Sequence, residues 1–304
     1  MRIRVRLTVV LMIGAVVGVV SDGPLAAPPS PASSGVTLAQ FTRLIQDRAN
    51  AHEPDAAMRL SFTSFTTASR IQPERVSYSD FAVVRLLYEA TRDAGLWNLH
   101  WTITDRPPNS DNIWRQWHAM GQPSALSPTA SAECDELSAL FAFLARRSGV
   151  KGVGLFWPYP NHTVAVWELH PAERPTIRVV VPTSQIFLAA SDSLDTRRFN
   201  AFSQKSIYEY TRRDIPDSFE LPGPLIDFFL SQVDKYASAS DATLQQLRYL
   251  RESVFLKRRT PEEAAREALR LRDVQSTSAT DRAALQSFAQ DMRSVPAPRF
   301  PRQE

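Results

Sequence analysis

One segment near the middle of the chain constrains the fold more than any other. From Leu137 to Leu144, apolar side chains recur at helical spacing, and three runs with strand character follow. The three runs are Val150–Trp157, His162–Leu169 and Thr176–Val181. They are joined by connections of four and six residues, and connections that short favour antiparallel neighbours. The segment therefore predicts a helix packed on a small antiparallel sheet.

The predicted helix begins near Cys134, the only cysteine in the chain. Arg146 and Arg147 suit its last turn, and Gly149 suits its C-terminal end. Cys134 precedes Leu137 by three positions, so its thiol shares the core-facing side of the helix. A helix dipole and unpaired backbone N–H groups stabilise a thiolate at such a position. Cys134 is therefore a candidate nucleophile, and a buried, inert cysteine is the alternative.

The N-terminus has the pattern of an export signal. Met1 to Arg6 is basic, and Leu7 to Val20 is an uncharged apolar run of 14 residues. That run is short for a membrane-spanning helix and typical of a signal peptide, although an uncleaved anchor is the alternative. We predict a secreted or periplasmic protein. In an oxidising compartment, a chain with one cysteine cannot form an internal disulfide.

Charge and composition exclude several classes. Hydrophobic residues make up 43% of the 304-residue chain, which is enough for a sizeable core. Removing residues 1–27 takes away three arginines and one aspartate and leaves 32 basic against 31 acidic side chains. With charges this nearly balanced, the chain has no overall positive electrostatic field that would attract nucleic acid. We therefore expect no nucleic-acid partner, and no stable membrane insertion once the signal is removed; the oligomeric state stays open.

The rest of the chain divides by composition and periodicity. Thr37 and Gln40 resemble a capping box at the start of a first helix, a second helix is predicted from about Tyr78 to Ala94, and residues 224–292 are mostly helical. The predicted divisions are a signal peptide (1–27), a Pro/Ser linker (28–35), an α+β domain (36–223), a helical C-terminal region (224–293) and a flexible tail (294–304).

A histidine supplies a base for the candidate thiol. Strand alternation places His162, Val164, Val166 and Glu168 on one face of the second predicted strand. If that face meets the Cys134 helix, thiol and imidazole converge. His162 then accepts the thiol proton and later protonates a leaving amine.

These residues resemble the transglutaminase-like (papain-like cysteine peptidase) superfamily. The stretch Thr129–Leu140 is similar to that family's nucleophile helix, and the run from His162 to Trp167 is similar to its histidine strand. The resemblance covers roughly residues 75–190. It implies a helix plus antiparallel sheet core within 36–223, with a helical C-terminal extension, and Cys/His/Asp chemistry.

The chain departs from the family pattern at the third catalytic position. The family usually has an aspartate before Pro-Thr on the next strand, and Val181 occupies that place here. Valine cannot hydrogen-bond an imidazole. Thr183, Ser184 and Gln185 are candidates to replace the aspartate, and Gln185 is the preferred one. Asp192 and Asp195, further along in a predicted loop, are the alternatives.

Other site features are less specific. The backbone N–H of Cys134 is a candidate oxyanion donor, and a further donor from Trp114, Trp117 or Gln122 is considered. The tryptophans are more typical of a core or a groove wall. The remaining histidines lack metal-ligand spacing, so we expect no metal and no cofactor; they are His52, His100, His118 and His170.

The sequence thus favours an exported cysteine acyl-transfer enzyme. Cys134, His162 and Gln185 are its candidate catalytic residues, and a protein, peptide or cell-wall peptide is its expected substrate. Peptide or isopeptide hydrolysis is the leading reaction. Two alternatives remain open: a catalytically impaired binding module for peptide or cell-wall fragments, and a scaffold whose C-terminal helices contact a partner.

Overall fold

The structure is a computed structural model that describes residues 35–159, 162–170, 176–184, 194, 207–274 and 278–294. The described residues belong to one compact unit. The predicted signal peptide, the linker up to residue 34 and the tail from residue 295 onwards lie outside these ranges. So do Gln185, Asp192 and Asp195, and the prediction that Gln185 is catalytic stays a prediction.

Helices account for most of the regular structure, and the predicted α+β class is confirmed at that level. In the described residues the nine α-helices are α1 (Leu38–His52), α2 (Ala56–Ala68), α3 (Tyr78–Thr91), α4 (Asp111–His118), α5 (Cys134–Arg147), α6 (Gly223–Tyr236), α7 (Asp241–Phe255), α8 (Pro261–Val274) and α9 (Ala279–Arg293). The strands in the same ranges are β1 (Val36–Thr37), β2 (Leu99–Trp101), β3 (Ala130–Ala132), β4 (Val153–Tyr159), β5 (His162–Leu169), β6 (Ile177–Val181), β7 (Tyr208–Glu209) and β8 (Glu220–Leu221).

The main sheet has the order β6-β5-β4-β7, and every neighbouring pair in it is antiparallel. Ala165 lies opposite Val181 on β6 and opposite Leu155 on β4. The antiparallel arrangement of the three predicted strands is therefore confirmed. The sequence did not predict β7, a two-residue strand at the edge of the sheet.

Two helix starts follow directly from their capping residues. The Gln40 N–H donates to Thr37 Oγ1 at 3.3 Å, and the Thr37 N–H donates to Gln40 Oε1 at 2.9 Å. The pair Thr260 and Glu263 makes the same reciprocal bonds, at 2.8 and 3.2 Å, ahead of α8. Each box satisfies two backbone donors that a helix start leaves free, and the predicted start at Thr37 is confirmed.

Helix α5 packs on one face of the main sheet. Ala165, Trp167, Val179 and Val181 on that face belong to the same buried cluster as the α5 side chains Leu137, Leu140, Phe141 and Leu144. On the opposite face, Phe156, Val164, Val166 and Val180 form a separate small cluster. Alternation assigns His162 to this second face, so the expectation that its face meets α5 is wrong. Both faces of β5 are apolar and buried, and alternation alone could not choose between them.

Two connections differ from the sequence prediction. The second predicted helix ends at Thr91 rather than Ala94, because Arg92 is extended (ψ 161°) and starts a tight turn. In that turn a Cβ on Gly95 would lie 2.4 Å from the Glu89 carbonyl oxygen, so only glycine fits there. The aromatic-rich segment from Leu96 to Trp117, for which the sequence predicts irregular or short helical structure, contains β2 and most of α4; β2 pairs in parallel with β3, with Trp101 opposite Ala132.

The C-terminal helices share the core of the preceding residues. Phe229 on α6 packs against Phe41, Trp97 and Trp117, with ring centroids 4.7 to 6.1 Å apart. Arg251 on α7 is 2% exposed and donates from Nη1 to the carbonyl oxygens of Ala94 and Gly95, at 3.0 and 2.6 Å. Side chains beyond residue 223 thus hold the turn that leads into β2.

Replacing Arg251 tests that anchoring. Arg251→Met leaves two buried carbonyl oxygens without their donor, and each such loss costs about 1–3 kcal/mol. We expect a loss of roughly 3 kcal/mol in the free energy of unfolding, measured by urea denaturation. The control, Arg270→Met, removes a surface pair with Glu267 and is expected to leave the urea midpoint unchanged. Equal midpoints for both variants would contradict the role given to Arg251.

Candidate functional site

Acidic side chains fix the start of α5, where Cys134 is the first helical residue. Glu136 Oε2 accepts hydrogen bonds from the Glu133 N–H at 2.9 Å and from Thr104 Oγ1 at 2.5 Å. Glu133 Oε2 accepts from the backbone N–H groups of Thr104 and Asp105, at 3.0 and 2.9 Å. The two carboxylates therefore tie the chain that follows β2 to the helix end that carries the thiol.

The Cys134 thiol is 5% exposed and rests against backbone donors. The backbone N–H groups of Thr163 and Asp135 lower the thiol pKa. Burial has the larger effect and raises the pKa above its usual range, and the carboxylates of Asp135 and Glu133 raise it further. The thiol is thus neutral at pH 7. The expected thiolate stabilisation at the helix start is outweighed by burial and by neighbouring negative charge.

The peptide groups of Thr163 connect α5 to the first residues of β5. The Thr163 carbonyl accepts a hydrogen bond from Ser138 Oγ at 3.2 Å, and the Thr163 backbone lowers the pKa of the Cys134 thiol. Cys134 and Ser138 are four residues apart and lie on one side of α5. The β4–β5 register shifts between Phe156 and Tyr159, opposite Thr163. At this bulge α5 supplies the Ser138 hydroxyl that bonds the Thr163 carbonyl.

His162 is the first residue of β5 and is 1% exposed. Burial lowers the pKa of its imidazole to about 4, so the ring is neutral at pH 7 and able to accept a proton. The peptide bond that joins His162 to Thr163 carries the N–H that lowers the pKa of the Cys134 thiol. The thiol therefore lies against the backbone immediately after the candidate base, whose side chain belongs to the other face of the sheet.

The buried imidazole makes stability depend on pH. Its pKa falls from 6.5 to about 4 on folding, so between these values the unfolded chain binds a proton that the folded chain does not. The free energy of unfolding is therefore highest above about pH 6.5 and decreases as the pH falls towards 4. We expect this decrease to be roughly 2 kcal/mol. Urea denaturation at both ends of this range should show a smaller loss for His162→Gln. The same loss in both proteins would contradict a buried, neutral His162.

The structure shows where Val181, Thr183 and Ser184 lie, three of the positions considered for the third catalytic residue. Val181 lies opposite Ala165 and is fully buried on the sheet face that packs on α5. The face that carries His162, Val164 and Val166 is the opposite one. A carboxylate at position 181 would therefore not point towards the His162 side chain. Thr183 Oγ1 is 2.8 Å from Ser138 Oγ, so the Thr183 side chain lies on the side of the sheet that packs on α5. Ser184 is buried on the strand end that follows.

Of the predicted side-chain oxyanion donors, the two indole N–H groups already have partners in the core. The indole N–H of Trp114 donates to Ser110 Oγ at 2.8 Å, the indole N–H of Trp117 donates to Thr129 Oγ1 at 3.3 Å, and both rings are fully buried in the core. Gln122 is exposed on a loop. The Cys134 N–H remains a candidate, because the first N–H groups of a helix have no partner within it.

Sequence reasoning missed two residues close to the helix start. The Gln116 side chain makes two hydrogen bonds to the backbone of Ser131. Its Oε1 accepts from the Ser131 N–H, and its Nε2 donates to the Ser131 carbonyl oxygen, both at 2.9 Å. It thereby acts as a pairing partner along the outer edge of β3, which leads into α5. Trp101 lies opposite Ala132, and its buried indole N–H has no partner among the described residues. Neither role could be inferred without the β2–β3 pairing.

The other histidines make local contacts. His52 Nδ1 lies 2.8 Å from Asp55 Oδ2, and His118 Nδ1 lies 3.0 Å from the Glu220 carbonyl oxygen. No group of three or more His, Cys, Asp or Glu side chains in the described ranges is placed to hold a metal ion. Within those ranges, the helices are all too short or too polar to cross a membrane.

Comparisons with protein-family models, with curated proteins and with solved structures found no match for this chain.

Proposed function

We propose that this protein is an exported, transglutaminase-like cysteine acyl-transfer enzyme that hydrolyses peptide or isopeptide amide bonds. One observation carries the proposal: the backbone of Thr163, the residue that follows His162, lies close enough to the Cys134 thiol to lower its pKa. The thiol on α5 and the imidazole on β5 are therefore attached to backbone segments that lie next to each other.

The chemistry follows from the protonation states of the two groups. Cys134 is a neutral thiol and His162 a neutral imidazole at pH 7. As the sulfur attacks the substrate carbonyl carbon, His162 accepts the thiol proton, and the carbonyl oxygen becomes an oxyanion. Collapse of the intermediate breaks the C–N bond, and His162 gives the proton to the leaving amine. Water then releases the acid from the thioester.

Backbone donors act on the thiol of Cys134, whereas the family's carboxylate acts on the imidazole. The N–H groups of Thr163 and Asp135 lower the thiol pKa and so favour the negative charge on the sulfur. Backbone N–H groups fixed by a helix start and a strand need no reorganisation during the reaction. They oppose the burial that raises the pKa of the thiol.

A non-catalytic binding module is the second candidate. The raised pKa of Cys134 and the valine at position 181 favour it, because both weaken thiol chemistry. In that function the site would hold a peptide or cell-wall fragment without cleaving it.

Turnover by the wild-type protein and by Cys134→Ala distinguishes the two functions. Both proteins are incubated with peptidyl anilides, with an isopeptide-linked peptide pair and with cell-wall peptides, and products are followed by mass spectrometry. Cleavage by the wild type alone supports the enzyme. Equal cleavage by both proteins contradicts it, and saturable binding without cleavage by both proteins supports the binding module.

A further inference from the structure

The turn between α7 and α8 holds two exposed arginines in a fixed position. Lys257 has a left-handed φ of 55°, which ends α7 and redirects the chain. The N–H groups of Arg258 and Arg259 then both donate to the Ser253 carbonyl oxygen, at 2.8 and 3.1 Å. The backbone that carries the two arginine side chains is therefore hydrogen-bonded to the last turn of α7.

The two arginines line an open recess together with charged side chains of α8. Four arginines and two glutamates form this lining: Arg258, Arg259, Arg266, Arg270, Glu263 and Glu267. Their formal charges give the recess a balance of +2. Glu262, also on the first turn of α8, is exposed and is not part of the lining. The recess is thus an anion-attracting feature on a chain whose total charge is nearly balanced.

Both carboxylates of the recess already have close partners. Glu263 Oε2 accepts from the N–H and the Oγ1 of Thr260, at 2.8 and 3.2 Å, as part of the cap of α8. Glu267 accepts from Nε and Nη2 of Arg270, at 2.8 and 2.7 Å, in a fork-shaped pair. Neither carboxylate forms an ion pair with the other three arginines of the recess.

Three guanidinium groups of the recess are available to an external anion. Arg258, Arg259 and Arg266 are exposed, and they form no side-chain hydrogen bond and no ion pair with any residue that the structure describes. The hydrogen bonds from Thr260 lower the pKa of Glu263, and the charges of Arg266 and Arg259 lower it further. Arginines from the turn and from α8 therefore lie near the same carboxylate, within one small region.

We propose that this recess binds a phosphomonoester, whose phosphate group is held by Arg258, Arg259 and Arg266. A phosphomonoester carries a charge of about −1.5 to −2 at pH 7, which complements the balance of the lining. Its three terminal oxygens match three guanidinium groups, and the planar fork of arginine suits phosphate geometry. A carboxylate has a smaller charge and only two oxygens. The site is independent of the chemistry proposed for Cys134.

Binding is measured on the full chain by proton–nitrogen NMR of labelled arginine side chains, at constant ionic strength. The titrants are glycerol phosphate, inorganic phosphate and acetate. We expect saturable shifts with both phosphates, a Kd of about 1 mM for glycerol phosphate at low salt, and binding of acetate roughly tenfold weaker. Equal affinity for acetate and glycerol phosphate overturns the proposal.

Variants of the recess change its charge in both directions. Arg259→Gln and Arg266→Gln should each weaken the binding of glycerol phosphate about fivefold. Glu267→Gln frees the guanidinium of Arg270 and should tighten binding by about the same factor, which a folding defect cannot imitate. Arg43→Gln is the matched control, because Arg43 on α1 is exposed and has no ion pair within the described ranges. An equal loss of affinity in this control overturns the proposal.

Vesicles distinguish a soluble phosphomonoester from a lipid headgroup. Wild-type chain and a variant with glutamine at all three free arginines are sedimented with phosphatidylcholine vesicles, with or without phosphatidic acid. Any contribution of the apolar run at residues 7–20 is common to both chains. Sedimentation that needs both phosphatidic acid and the arginines supports the site with a lipid headgroup as its ligand. Absence of arginine-dependent binding to the soluble phosphates and to the vesicles overturns the proposal.

Discussion

His162→Gln is expected to slow acyl transfer at Cys134 by roughly 10²- to 10⁴-fold, the usual contribution of a positioned general base. The Cys134 thiol is held neutral by burial, so it needs a proton acceptor at the moment of attack. Glutamine occupies a similar volume and forms hydrogen bonds, but it cannot take up the proton. The measurement is kcat/KM for the best substrate of the wild-type protein.

The pH dependence of kcat/KM gives a second readout for the same pair. Burial lowers the pKa of His162 to about 4, so the base is neutral and active across the neutral range and is lost only as the pH falls through that value. The wild-type acid limb should therefore lie near pH 4 rather than near 6.5. His52→Gln serves as the control, because that ring pairs with Asp55 away from the thiol. An equal loss of rate in both variants would contradict the assignment of His162.

Val181→Asp is expected to destabilise the protein severely rather than to restore a catalytic triad. Val181 is fully buried against α5 in the main apolar cluster. A buried carboxylate without a partner either stays charged at high cost or shifts its pKa upward by 3–5 units, which is about 4–7 kcal/mol at neutral pH. We expect a loss of about 4 kcal/mol in the free energy of unfolding, or failure to fold.

The control for this substitution is a valine in a different environment. Val274 at the end of α8 is 71% exposed, and Val274→Asp should leave the urea midpoint within about 0.5 kcal/mol of the wild type. If Val181→Asp folded normally and raised turnover, the carboxylate would have reached His162. That result would contradict the assignment of Val181 and His162 to opposite faces of the sheet.

Local sequence signals were sufficient to predict the elements that carry the candidate site. The bounds of β5 agree with the predicted run, and α5 begins at Cys134 as expected. The capping residues, the apolar spacing and the glycine at position 149 that define α5 all lie within the helix or a few positions from it. The prediction of which sheet face meets α5 failed for a physical reason: Thr163 to Trp167 are all buried, so the pattern offers two equivalent apolar faces.

Features that depend on distant contacts could not be predicted. The parallel pair β2–β3 joins three-residue strands separated by about thirty positions, and the Asp93 carboxylate holds the free edge of β2 by accepting the Trp101 N–H at 2.8 Å. The direction of the Cys134 pKa depends on how deeply α5 is buried and on the carboxylates beside it.

The most direct test of the central claim is detection of an acyl group on the sulfur of Cys134. The wild-type protein is mixed with an activated ester, quenched in acid within the first turnover and digested, and the peptide that contains Cys134 is examined by mass spectrometry. We predict one thioester-linked acyl group on that peptide, with much slower formation in His162→Gln. An unmodified Cys134 peptide during substrate turnover would contradict the mechanism.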